Sequence, residues 1–343
     1  MSAAEIPSYK LNDWHIHSFG RNGVSLVINK PCGSLMSSPD RCYMNSSTFT
    51  EKQVYDMCQK AIKVGYRHFD TATGYGNEQQ VGKAIRDSGI PRNEFYITYE
   101  IGLTVDRNGD HHRVREAFEE SFNRLNTEYI DLYLLPLAAS VHGSQINAPN
   151  MALTPEESPT FVETWKEIEK LLDTGKVKSI GVSNFSIKTL EELLAQCSVT
   201  PANNQVELHP CLPQDDLKTY CQAKGILLTA YSPLGRSKSF FAEQPLISAL
   251  AEKYNTTAAQ IILSWGVQRG TVVVPKSEDE GRMLANITLV KLSPEDMQEV
   301  GALHLKPGMH KSLVPFHSED GGVFGWKYSW LGWNMTTGGI VPQ

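Results

Sequence analysis

Two short runs near residues 70 and 100 carry groups that can handle a proton. In "HFDTATGYGNE", Asp70 and Tyr75 lie in one loop, a carboxylate and a phenol able to form an acid and base pair. The bland alternative is an Asp that caps the loop and a Tyr that only packs. In "EFYITYEIG" Glu100 closes an apolar run, and in "IDLYLLPLAAS" Pro136 closes another, both where an enzyme would want a proton-handling residue. Further along, Ser183 and Asn184 of "GVSNF" and Gln205 of "NQVELHP" are polar without charge, a set that suits a carboxamide. Tyr231 of "YSPLG" can stack on a flat heteroaromatic ring. Lys276 and Ser277 precede a helical pattern in which Arg282 and Asn286, four residues apart, share a face. A Lys, a hydroxyl, an Arg fork and a helix N-terminus make an anion site with phosphate as the obvious ligand; a solvated surface face is the alternative.

These residues need a scaffold that gathers strand ends. Eight short runs rich in β-branched and aromatic residues read as strands, at 24–29, 66–70, 94–100, 130–135, 178–183, 203–208, 226–232 and 271–276. Amphipathic stretches lie between them, among them Glu51–Lys63, Arg113–Leu125, Thr160–Leu172 and Ile187–Ala195. Alternation of this kind predicts parallel strands joined by crossover helices. Eight such units predict a (β/α)8 TIM barrel; a doubly wound sheet would show about six strands and a Gly-rich first turn. No GxGxxG follows an early strand. Barrel enzymes carry their chemistry at the C-terminal ends of the strands, which is where the residues above stand.

Composition narrows the classes. With 343 residues, 41% hydrophobic and 20% charged, the chain can bury a large core, and it reads as one domain over 1–343. A net charge of -6 without any Lys/Arg run offers nothing to a phosphate backbone or an anionic membrane, so neither nucleic acid nor membrane is expected as a partner. Six cysteines (Cys32, Cys42, Cys58, Cys197, Cys211, Cys221) show no CxxC pair and no metal-ligand spacing, so they read as reduced, buried thiols and no metal is expected. The N-terminus lacks a basic n-region and an apolar h-region, and no apolar stretch reaches bilayer length, which predicts a soluble cytoplasmic protein.

The blocks "GYRHFDTATGYGNE", "GVSNF", "NQVELHP", "YSPLG" and "PKS....R...N" stand in an order and spacing that resembles the aldo-keto reductase family over nearly the whole chain. The resemblance implies a monomeric barrel that binds extended NADPH without a Rossmann motif. It places the nicotinamide carboxamide on Ser183, Asn184 and Gln205, and the ring on Tyr231, with Ser232 and Leu234 of the same run counted at the cofactor site. It places the adenosine 2′-phosphate on Lys276, Ser277 and Arg282 and the adenine end near Asn286, while Ala285 stands where the pattern often has a Glu. The cofactor half of the pattern is thus filled. The catalytic half has four members, an Asp, a Tyr proton donor, a Lys and a His; Asp70 and Tyr75 match, but Glu100 stands for the Lys and Pro136 for the His. The family also shapes its substrate pocket with the C-terminal loop, here 302–343. Phe316, Phe324, Trp326, Trp330 and Trp333 are therefore expected to line a large apolar cavity, with Leu137 and His142 from the loop after the fourth run, suited to a bulky flat substrate.

Glu100 reverses the sign of the charge beside the Tyr. Ionised next to Asp70 it would meet repulsion of up to about 4 kcal/mol at roughly 4 Å and an effective dielectric of about 20, so a protonated Glu100, or a proton shared with Asp70, is expected. Tyr75 or Glu100 then serves as the acid, with Asp70 tuning it. Pro136 can neither donate nor accept through its side chain, and His142 or His317 are the candidate stand-ins; His68 and His209 read as structural. The expectation is an NADPH-dependent oxidoreductase acting on a bulky ketone, enone or aldehyde in specialised metabolism. An isomerase, lyase or cyclase that has lost hydride transfer, and a non-catalytic NADPH-binding protein, are the alternatives.

Overall fold

Thr50 starts the first described helix and a glycine ends it. The Thr50 hydroxyl accepts from the Gln53 N–H while the Gln53 side chain accepts from the Thr50 N–H, and helix α1 (Glu51–Val64) then runs to Gly65, whose φ of 118° closes it. The computed structural model describes residues 50–102, 113–137, 157–235, 240–315, 317–323 and 326–342, with the backbone alone at 10–11, 14–15, 26–27 and 112.

Eight strands follow one another in chain order in a single parallel sheet: β1 (Leu26–Val27), β2 (His68–Ala72), β3 (Tyr96–Glu100), β4 (Ile130–Pro136), β5 (Val177–Ser183), β6 (Asn203–Glu207), β7 (Leu227–Tyr231) and β8 (Val272–Val274). Helices α2 (Glu78–Asp87), α3 (His112–Leu125), α4 (Phe161–Glu169), α5 (Ile187–Leu194) and α6 (Asp215–Ala223) form successive crossovers, and α7 (Pro245–Lys253) with α8 (Ala258–Gln268) forms the last. Two further helices, α9 (Glu280–Ile287) and α10 (Pro294–Gly301), come after β8, and a short one, α11 (Tyr328–Leu331), lies near the C-terminus. This is the (β/α)8 barrel that the eight runs predict. No helix among the described residues is long and apolar enough to cross a membrane.

The barrel separates two cores. Side chains on the helix side of the strands, such as Phe69, Ile97, Tyr99, Tyr133, Val182 and Val206, join the large cluster shared with the helices. Inside the barrel lie two small clusters, Tyr96 with Leu132 and Leu134, and Val272 with Val274, against which Tyr75, Leu227 and Tyr231 pack. Polar pairs fill the rest of the interior: His68 Nε2 lies 2.7 Å from Thr98 Oγ1, and Asn203 Nδ2 donates to Thr229 Oγ1 at 2.8 Å. Burial pushes the His68 pKa down to about 3, so it is a neutral structural histidine. Gly181 is required here, because a Cβ would stand 2.8 Å from both the Asn203 carbonyl oxygen and Leu134 Cδ2.

Two strand boundaries differ from the sequence expectation in ways that matter for the site. The second run, read as 66–70, pairs over His68–Ala72, because the C-terminal cap of α1 takes the Tyr66 N–H (2.9 Å to the Ala61 carbonyl) and delays the strand. Asp70 is therefore mid-strand, inside the barrel, and Ala72 is the residue level with Glu100. The eighth run ends at Val274 rather than 276, since Pro275 cannot donate to a ladder. Lys276 and Ser277 lie beyond the strand.

The C-terminal segment is fastened by a buried carboxylate. Glu207, at the end of β6, accepts from Ser312 Oγ (2.5 Å), from the Leu313 N–H (2.7 Å) and faces His209 Nε2 at 2.9 Å. Burial works to raise its pKa, but these partners outweigh it and hold the group below its ordinary value. His209 is structural, as its block suggests. Ser312→Ala is expected to cost about 2 kcal/mol in urea unfolding, the range of a hydrogen bond to a charged group, and to speed exchange of the Leu313 amide hydrogen. An unchanged midpoint would show that the Ser312 bond to Glu207 does not help hold the segment.

Candidate active site

The middles of β2 and β6 and the ends of β3 and β5 bring four polar side chains, Asp70, Gln205, Glu100 and Ser183, into one cluster. Gln205 Nε2 donates to Asp70 Oδ2 at 2.8 Å, although the two are 135 residues apart. The Ser183 hydroxyl donates to the Glu100 carboxyl, and Asn184 Nδ2 reaches Ser183 Oγ at 3.4 Å. Ser183 is level with Gln205 on one side and with Pro136 on the other, so all three side chains share the interior face. Asn184 takes a left-handed backbone (φ 65°), a conformation Asn tolerates better than most residues, and its N–H is bonded to the Gln205 carbonyl.

Burial dominates the electrostatics of the two carboxyls. It pushes Asp70 up to about 7; the Gln205 hydrogen bond works against the rise and the charge of Glu100 adds to it. Glu100 is raised too, again by burial, with the Ser183 hydrogen bond opposing. The residue keeps some exposure at the barrel mouth, but its carboxyl is enclosed by protein. A cation in this position would hold both carboxyls ionised. No cation stands beside them among the described residues, and each carboxyl is held above its ordinary value.

The aromatic wall is on the other side of the mouth. Tyr75, in the 3-10 turn Thr73–Tyr75 after β2, packs against the Val272 and Val274 cluster together with Tyr231. Both rings are partly exposed. Ser232 follows Tyr231 with φ 49°, and its carbonyl accepts from the Gly235 N–H at 2.9 Å, so Leu234 is held in a tight turn beside the mouth.

At the proposed anion site the donors carry more partners than their sequence pattern suggests. The Lys276 ammonium is ion-paired with the Glu278 carboxylate. Ser277 is buried and donates to the Asp279 carbonyl at 3.3 Å. Asp279 caps α9 by accepting from the Arg282 N–H at 2.8 Å, while the Arg282 residue is exposed. Asn286 is buried and donates to the Tyr66 phenol.

The pocket residues scatter more widely. Leu137 is buried in the helix-side core, its N–H bonded to the Ser183 carbonyl at 2.9 Å, so Pro136 and not Leu137 faces the interior. Trp326 is buried in the same core; Trp330 and Trp333 pack on it, with the Lys327 ammonium 5.4 Å from the Trp330 ring centre. Lys188 Nζ donates to the Ser329 carbonyl at 3.0 Å, which seats this segment on the start of α5, at the C-terminal end of the barrel. His317 Nδ1 is 2.7 Å from the Tyr328 hydroxyl, and burial pushes its pKa down. No contact among the described residues brings it to Asp70 or Glu100. His142, Phe316 and Phe324 lie outside the described residues. Burial pushes the thiols of Cys58, Cys211 and Cys221 up to about 12, which suits inert core residues; Cys197 is half-buried, and Cys32 and Cys42 lie outside the described residues.

The aldo/keto reductase family matches residues 42–304. The chain belongs to that family. It is by family an oxidoreductase, and its relatives share most of their length with it. Glycerol 2-dehydrogenase (NADP(+)) of Saccharomyces cerevisiae is 39% identical over 282 residues, covering 78% of this chain and 89% of the yeast protein. Aldo-keto reductase family 1 member A1 of Homo sapiens is 36% identical, covering 78% and 86%. Among solved structures, a Bombyx mori aldo-keto reductase in complex with NADP superposes with a TM-score of 0.69 at 29% identity, covering 87% of this chain and 93% of that one.

Proposed function

We propose that the protein is an NADP(H)-dependent reductase of a bulky ketone, enone or aldehyde in which Glu100 supplies the proton. The observation that carries this reading is the cluster of Asp70, Glu100, Ser183 and Gln205: the cofactor-facing polar set is present, and a protonated carboxyl is hydrogen-bonded to one of its members. The donor set suits NADP(H). Ser183, Asn184 and Gln205 can hold a carboxamide, the partly exposed Tyr231 ring can face a nicotinamide, and Lys276, Ser277 and Arg282 are chemically matched to a phosphate. When bound, the cofactor supplies the hydride.

The chain's own groups manage the proton. Glu100, kept neutral by burial, donates to the substrate oxygen or carbon, and Asp70 beneath it shares the remaining proton and holds Gln205 in place. Tyr75 keeps the phenol of the family pattern, but the Lys that accompanies it there is replaced by the carboxyl of Glu100. Pro136, level with Ser183, leaves the interior face without the polar group that a His would supply there. A single-domain, cytoplasmic monomer of specialised metabolism fits these features.

Titration with NADPH, followed by a panel of aldehydes, ketones, enones and quinones, tests the reading. Fluorescence quenching with micromolar affinity and NADPH oxidation on the bulkier members is the expected result. Tight binding without oxidation on any substrate would instead favour the isomerase, lyase or cyclase reading, which a pair of carboxyls with raised pKa also allows.

A further inference from the structure

Cofactor choice is decided where the adenosine ribose meets the protein, and here the chain carries an unusual balance of charge. Residues 276–282 hold the cations Lys276 and Arg282 against the carboxylates Glu278, Asp279 and Glu280. Two of those carboxylates are committed elsewhere. Asp279 caps α9, and Glu280 pairs with Lys63 at 2.8 Å. Glu278 is the one turned onto the candidate phosphate ligand itself, its Oε1 on Lys276 Nζ, with the two side chains 41% and 25% exposed.

We propose that Glu278 is a specificity residue that competes with the 2′-phosphate for Lys276 and admits NADH alongside NADPH. The inference rests on the cofactor reading above. A 2′-phosphate approaching Lys276 finds the Glu278 carboxylate already on the ammonium, and the two anions must then share it as neighbours. A ribose bearing a free 2′-hydroxyl meets the opposite situation: it leaves the ion pair intact and can donate to the carboxylate, the way acidic residues recognise the NAD ribose in other nucleotide folds. Arg282, exposed and not paired to Glu278 in the structure, keeps some attraction for phosphate, so NADPH is weakened rather than excluded.

Equilibrium binding of NADPH and NADH, measured by fluorescence quenching without substrate, tests this directly. The unaltered protein is expected to bind NADPH no more than about tenfold more tightly than NADH. Glu278→Gln should tighten NADPH by about tenfold and leave NADH within about twofold. Lys276→Met should then cost NADPH about tenfold in the Glu278→Gln background but less than about threefold alone, the signature of two groups that neutralise each other. If Glu278→Gln moves both affinities equally or not at all while NADPH still binds, Glu278 has no part in the choice and the inference falls alone. If neither cofactor binds the unaltered protein, the cofactor reading falls and takes this inference with it.

Discussion

Glu100→Gln is expected to lower kcat for the reduction by about 10²- to 10⁴-fold, the usual worth of a positioned acid, with NADPH affinity held within about twofold. Gln keeps the size of Glu and can still accept from the Ser183 hydroxyl, so the barrel mouth should keep its shape. What it loses is the transferable proton. Tyr75→Phe is expected to cost less than about tenfold, because the ring's packing against Val272 and Val274 survives and Glu100 is the acid on this reading. The pH profile separates the roles further: with Glu100 as donor, kcat/KM falls on the alkaline side as the raised carboxyl of the free enzyme ionises. Should Tyr75→Phe silence the protein while Glu100→Gln is harmless, the phenol is the donor after all.

Much of this site was legible because strand ends are local features. Ser183, Asn184 and Tyr231 each close or follow a run whose apolar pattern is plain, Gln205 lies within the neighbouring run, and the barrel arranges such strands in a ring. The depth of Asp70 was not legible, since it depends on how the cap at Gly65 hands the chain from helix to strand and so on where the pairing with β3 begins. Nor was the bond from Gln205 to Asp70, a contact across the barrel that no local pattern encodes. The Glu278 partner of Lys276 is different: two residues away, of opposite charge, it was open to view and lay hidden behind a motif that only counts the cations. Trp326 and Leu137 show a last limit, as apolar residues near a mouth can face the helix-side core as readily as a substrate.

Asp70→Asn is expected to stabilise the protein by about 2–4 kcal/mol at pH 8 and by almost nothing at pH 4. Below the ordinary carboxyl value of 3.8 the group is protonated whether the chain is folded or unfolded, and the fold has the full benefit of a neutral side chain. As pH rises from there to about 7 the unfolded chain releases the proton while the folded chain retains it, so stability falls through that window and stays lower above it. A difference of about three pKa units corresponds to about 4 kcal/mol, which is the ceiling on the gain. Asn removes the charge but keeps an oxygen that accepts from Gln205 Nε2, so the local bond pattern is preserved. Urea unfolding of both proteins at pH 4, 6 and 8 measures it, and equal midpoints at pH 8 would mean that Asp70 is not held out of water as the structure has it. A buried carboxyl that weakens the fold across the neutral range, with a second one beside it and no cation on either among the described residues, is poorly explained as packing. It is well explained as a proton store placed below Glu100, and the same substitution should then flatten the pH dependence of catalysis even as it strengthens the barrel.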